Sequence, residues 1–121
     1  MPSPTLNSDS AYAAVIRSRI LARGSVDPDD DAWRVSRTIG DLLSTKYGAT
    51  SVVVFGSLAK RAWTRFSDID IAVSGIPSAL FFKAFAEVDA LANQFRIDLL
   101  DLDDCGDEIK THVENEGVAL Q

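Results

Sequence analysis

The stretch "VVVFGSLAKRAWTRFSDIDIAV", Val52 to Val73, decides how this chain folds. An apolar, β-branched run ends in Gly56-Ser57, and after ten further residues come two acids, Asp68 and Asp70, separated by one isoleucine. "SVVVF" is apolar without alternation, the pattern of a strand covered on both faces. "DIDIAV" reads as a second strand and "FRIDLLDL" as a third. Between those two, Pro77 to Asn93 places Leu80, Phe81, Ala84, Phe85, Val88 and Leu91 on one face of a helix.

Outward from this centre the helix signals are local and chemical. In "VDPDDDAW", Asp27 can cap, Pro28 suits the first helical position, and Asp29 to Asp31 sit where the helix dipole favours negative charge. That helix runs to about Lys46, with Val35, Ile39, Leu42 and Leu43 as its buried stripe and Gly48 as its stop. Residues 9–22 carry Tyr12, Val15, Ile16, Ile20 and Leu21 at helical spacing, with Gly24 as the stop. A final helix spans about Asp104 to Glu116, with Ile109 and Val113 four residues apart before Gly117. Strands alternating with helices specify an α/β layer: a small mixed sheet of three strands or slightly more, flanked by four to five helices. Residues 1–8 are expected to be a flexible tail and residues 9–121 a single domain.

Composition narrows the function. The 121 residues are 46% hydrophobic and 25% charged, as in a soluble globular protein. A net charge of −6 disfavours an extended duplex nucleic-acid surface. One cysteine, Cys105, cannot form an internal disulfide, and "MPSPTLNSDS" has neither the basic nor the apolar region of a secretory signal. No apolar run approaches the roughly 18 residues of a spanning helix. The expected location is the cytoplasm.

The acids and the Gly-Ser pair together suggest a chemistry. Where a strand turns into the short helix "SLAKRA", free backbone N–H groups at the helix start attract an anion. Gly56 permits close approach of a phosphate, and the Ser57 hydroxyl adds a donor. Asp68 and Asp70, two apart on a strand, emerge on one face about 7 Å apart. Such carboxylates repel unless a cation lies between them, and hard oxygen ligands suit Mg²⁺ shared with substrate phosphates. Asp98, between Ile97 and Leu99, is either a strained buried acid or a third member of the set. An anion cradle facing two or three carboxylates suggests metal-assisted phosphoryl or nucleotidyl transfer.

Gly56-Ser57, ten residues, then Asp68-Ile69-Asp70 resembles the pattern of the DNA polymerase beta-like nucleotidyltransferases, and "SDIDIAV" is close to their usual wording. "RIDLLDLDD" resembles the strand that carries their third acid, and "IKTHVENEGVAL" the closing helix of the minimal nucleotidyltransferases. The resemblance covers residues 52–120. It implies Gly56 and Ser57 as phosphate contacts, Asp68 and Asp70 as metal ligands, and Asp98 as third ligand or base, with ATP as substrate and Mg²⁺ as cofactor. Ser67, in the same wording, joins the nucleotide-binding set. Many members have glycine where this chain has Arg61, which leaves the loop after Ser57 open; Lys60, Arg61 and Arg65 are either phosphate contacts or ordinary surface cations.

Other features read as structural. The acidic run Asp101, Asp103, Asp104, Asp107 and Glu108 fits a solvated helix start, Trp33 and Trp63 fit core or rim packing, and His112 and Cys105 stand in no pattern. The function class implied is a minimal nucleotidyltransferase similar to the antitoxin partner of HEPN-domain toxins, transferring AMP from ATP to a hydroxyl of that partner. The alternatives are a non-catalytic subunit binding a partner or nucleotide through the same face, or an aminoglycoside-type small-molecule transferase, disfavoured because such enzymes usually add a helical domain.

Overall fold

The computed structural model describes residues 28–120. The expected helix over 9–22, the capping Asp27 and the expected tail lie outside them. Helix α1 (Pro28–Tyr47) leads into strand β1 (Ser51–Phe55), the one-turn helix α2 (Gly56–Ala59) and strand β2 (Ile69–Ser74). Helix α3 (Ser78–Ala92) then crosses to strand β3 (Ile97–Asp101), and a 3₁₀ turn at Leu102–Asp104 precedes helix α4 (Asp107–Glu116) and strand β4 (Val118–Ala119). The acids of the first turn of α1 and Lys46 in its last turn complement the helix dipole. Gly48 ends it with φ +76°, a left-handed conformation that glycine adopts without penalty.

The four strands form one mixed sheet in the order β3-β2-β1-β4. β1 pairs antiparallel with both β2 and β4, whereas β2 and β3, joined through α3, are parallel. The alternation of side chains along each strand divides the apolar residues between two faces. Val52 and Val54, Ile69, Ile71 and Val73, and Ile97 and Leu99 join one cluster with Ile39 and Leu43 of α1 and Ala84 and Val88 of α3. The opposite face carries a smaller cluster, in which Ala72, Leu102 and Val113 of α4 pack with Val53, Phe55 and Leu100. Both faces of β1 are therefore used, as its unbroken apolar run implies.

The expected sheet of three strands or slightly more has a fourth, supplied by "VAL" after Gly117, where Val118 and Ala119 lie against Val54 and Val53; several finer expectations are corrected. A Cβ on Gly117 would collide with Val53 and with the carbonyl of Val113, so this close return of the chain needs glycine. The last helix starts at Asp107, because the Asp101 carboxylate accepts the N–H of Asp103 at 3.0 Å and stabilises a separate turn. Asp103 also accepts the Gly75 N–H at 2.8 Å, so part of the acidic run is structural. In that helix Val113 is buried and Ile109 exposed. On α3 the contact stripe is narrower than its apolar sequence: Ala84, Val88 and Ala92 are buried with Phe81 packed beside them, while Leu80, Phe85 and Leu91 are exposed. Small residues one turn apart bring this helix close to the sheet, and the larger ones flank the contact. Trp63 is buried against Phe95 with ring centroids 5.9 Å apart, and Trp33 packs at the edge of the core.

Candidate functional site

The site lies where β1 ends, β2 begins and β3 runs beside it. Strand register sets Phe55 opposite Asp70 and Asp70 beside Asp98. Asp70 and Asp98 alternate with the buried Ile69, Ile71, Ile97 and Leu99, so they project from the face that α4 only partly covers. Asp68 precedes the first residue of β2 rather than standing within it. Asp98 is exposed, not sunk among its apolar neighbours, because β3 is an edge strand of the sheet.

Gly56 turns the chain at the end of β1 with φ +69°, and Asp70 occupies the space a side chain would need: a Cβ there would overlap the Asp70 carboxylate. Gly56 is thus fixed twice, by a left-handed backbone and by contact with an acid. This is the structural answer to the Gly-Ser pair. The glycine brings the start of α2, where Ser57 sits, directly over the second acid of "DID".

α2 closes in a Schellman pattern, with the Arg61 N–H on the Leu58 carbonyl at 3.2 Å and the Ala62 N–H on the Ser57 carbonyl at 2.8 Å. Arg61 takes the position after the cap with φ +62°. Glycine suits that conformation; here an arginine adopts it, against a steric cost of about 1 kcal/mol. The loop after Ser57 keeps a left-handed turn despite the substitution.

The other expected contacts are placed less simply. Lys60 makes an ion pair with Glu116 at 3.3 Å, Arg61 and Arg65 are exposed, and the Ser67 hydroxyl accepts the Thr64 N–H at 3.2 Å. Asp68 is held by Arg96, whose Nε lies 2.8 Å from its Oδ1; the Arg96 Nη2 also donates to the Phe66 carbonyl at 2.8 Å. Sequence reasoning passed over Arg96, although a cation two residues before the third acid was the available signal.

Electrostatically, Asp70 is the exceptional group. Burial, then the charges of Asp98 and Asp68 and a hydrogen bond with Asp98, push its pKa up to about 6 from 3.8. A nearby cation would favour the charged form of this carboxyl and offset both burial and like charge. Among the described residues no three metal-binding side chains are yet gathered around one point, and Asp68 leans on Arg96. Asp70 and Asp98 nevertheless fit a hard divalent cation: both are oxygen donors, side by side on adjacent strands, with mutual repulsion to relieve.

The family model for polymerase beta nucleotidyltransferases matches residues 37–121. The chain belongs to this family. Such nucleotidyltransferases generally use a divalent metal and ATP. Among solved structures, this member of the family is similar to one described as a minimal nucleotidyltransferase, at 21% identity and a TM-score of 0.65, over 78% of this chain and 98% of that one. It is also similar to a chain of a toxin–antitoxin structure with AMP-PNP, at 20% identity and a TM-score of 0.57, over 78% and 73%. A third is the Shewanella oneidensis complex of a tri-AMPylated HEPN toxin with an MNT antitoxin, at 22% identity and a TM-score of 0.54, over 74% and 71%. No curated protein sequence matches the chain. At these identities the structural likenesses establish the shared fold. Among the described residues no helix is long and apolar enough to cross a membrane.

Proposed function

We propose that this nucleotidyltransferase is a Mg²⁺-dependent protein adenylyltransferase that moves AMP from ATP onto a hydroxyl of a partner protein, as the antitoxin half of a HEPN/MNT pair. The observation that carries the reading is the Asp70–Asp98 pair beneath Gly56, which sets an acidic centre against the start of α2. The AMPylated HEPN toxin in a complex of the same fold supports a protein acceptor, and the AMP-PNP structure supports an adenine nucleotide.

In this reading Asp68, Asp70 and Asp98 hold Mg²⁺, and the ion, when bound, neutralises charge on the triphosphate and its leaving group. Gly56 and Ser57 bind phosphate through backbone N–H groups and the Ser57 hydroxyl, at the left-handed turn that sets the start of α2 against Asp70. A helix of four residues contributes little dipole, so in this reading the individual N–H and hydroxyl donors of the turn matter more. Arg61 approaches the same phosphates from the Schellman turn, Lys60 does so on leaving Glu116, and Ser67 fixes the turn before Asp68 through Thr64. Asp98, on the exposed edge strand, is open to an acceptor arriving from outside and takes the proton of its hydroxyl. The acceptor oxygen bonds to the α-phosphorus, the α–β phosphoanhydride bond breaks, and pyrophosphate leaves. We place the protein in the cytoplasm, with the ATP it uses.

The test is calorimetry of ATP binding with and without Mg²⁺, joined to transfer of label from α-labelled ATP to a HEPN-type partner. ATP should bind more tightly with Mg²⁺ in the parent and lose most of that gain in Asp70→Asn. Equal affinity with and without Mg²⁺ in the parent protein would sink the assignment.

A further inference from the structure

The proposal above gives Asp68 to the metal, yet Asp68 is not idle. Its Oδ1 stands 2.8 Å from the Arg96 Nε, and the same guanidinium reaches the Phe66 carbonyl with Nη2 at 2.8 Å. One planar fork thus grips the backbone and the side chain of the turn that leads into β2. The grip comes from the neighbouring strand's approach: the Arg96 carbonyl accepts the Ile69 N–H at 2.8 Å, which locks the base of Arg96 beside the turn it clasps. Asp68 lies close enough to Asp70 for its charge to be felt there, so the carboxylate that Arg96 neutralises belongs to the same acidic centre.

We propose that Arg96 is an internal counter-ion of this centre, a positioning residue that holds Asp68 in the metal-free protein and must release it for the carboxylate to join Asp70 and Asp98 around a divalent cation. Arginine and Mg²⁺ compete for Asp68, since a guanidinium in contact with the carboxylate both occupies an oxygen and repels an incoming dication. The competition is mild by construction. The side chains are 73% and 48% exposed, so solvent screens the pair, and exposed pairs are worth at most about 1 kcal/mol, or up to roughly five-fold in binding. A buried pair would have closed the site; this one sets a threshold that a dication can cross. The fork's second contact gives the exchange a structural side, because a guanidinium that leaves Asp68 no longer needs to hold the Phe66 carbonyl.

This inference rests on the metal assignment made above, and one titration separates the two. Mg²⁺ is titrated by calorimetry into the nucleotide-free parent, into Arg96→Ala and, should that variant fold poorly, into Arg96→Gln. Removal of the guanidinium is expected to tighten Mg²⁺ binding about two- to five-fold, and raised NaCl to shrink the difference by screening the pair. In the parent, the Arg96 Nε–H resonance, assigned by its loss in Arg96→Gln, is expected to shift as Mg²⁺ is added, a change that a merely structural arginine would not show. Weaker or unchanged Mg²⁺ affinity in both variants, or an Nε–H signal indifferent to Mg²⁺, overturns the proposal while leaving the metal assignment standing. A parent protein that binds no Mg²⁺ here and whose ATP affinity is the same with and without Mg²⁺ overturns both.

Discussion

Two partly buried carboxylates in this protein are treated in opposite ways. Glu87 of α3 receives the Tyr47 hydroxyl at 2.6 Å and the Lys46 ammonium at 2.9 Å, tying the end of α1 to α3. First the hydrogen bond from Tyr47, then that from Lys46, hold its carboxyl below the ordinary range. Asp70 is given burial and two acidic neighbours instead, and its carboxyl rises to about 6. Where the fold needs an acid for its own cohesion it surrounds it with donors. Among the described residues Asp70 has acids and no donor beside it, and in the proposed function a bound cation supplies the missing charge; that asymmetry distinguishes a tether from a candidate site.

The sharpest way to break the comparison is at the chemistry. Asp98→Asn keeps the shape of the acidic centre but cannot accept a proton, so transfer of AMP to the partner should fall by about 10²-fold or more. Mg·ATP affinity, measured in parallel by calorimetry, should fall far less than the transfer rate, because Asp70 and Asp68 remain as ligands. Transfer at the parental rate would remove Asp98 from the role of base. Because Asp98 is exposed, this substitution should leave the thermal melt nearly unchanged, and a steep fall in metal-free buffer would mark a structural acid instead.

The next test uses pH in metal-free buffer, where the two acids should pull in opposite directions. Asp70 has a folded pKa above its unfolded value of 3.8, so the folded state holds the proton more tightly. Its destabilising effect is absent below about pH 4, grows as pH rises from about 4 to 6, and is complete above that. Asp70→Asn should flatten this decline and raise the melting temperature near pH 7. Glu87 is shifted downward from 4.5, so its contribution is present above that value and lost as pH falls through the lowered pKa. Glu87→Gln should therefore lower the melting temperature near pH 7 and matter little in strong acid. Parallel pH profiles for both variants would erase the distinction.

The smallest effect belongs to the turn beneath the site. Arg61→Gly relieves a left-handed arginine at φ +62° and should stabilise the fold by about 1 kcal/mol in denaturant melts. If the arginine is kept for the triphosphate, the same variant should bind ATP more weakly, so stability and affinity move in opposite directions. Gains in both would leave Arg61 with no part in holding the triphosphate.

Much of this protein is set by signals that act over a few residues. The apolar run of β1, the spacing from Gly56-Ser57 to Asp68 and Asp70, the acids at the start of α1 and Gly48 at its end are local matters of period, capping and backbone freedom, and the fold class and family follow from them. Other features depend on neighbours that come together only in three dimensions. Val118-Ala119 is a strand because β1 has a free edge and Gly117 lets the chain approach it; two residues carry no period of their own. Asp98 is exposed because β3 lies at the edge of the sheet, while Asp70, on an interior strand under Gly56, takes the burial that the sequence would have assigned to Asp98. The clasp of Arg96 on Asp68 joins residues 28 positions apart through the parallel pairing of β2 with β3, and no local rule couples them. The sequence alone determined which acids lie close to the Gly56-Ser57 turn along the chain. The tertiary structure decided which of them is buried, which is open, and which is already held by a cation of the protein's own, because burial and charge pairing are properties of strand order and register rather than of spacing along the chain.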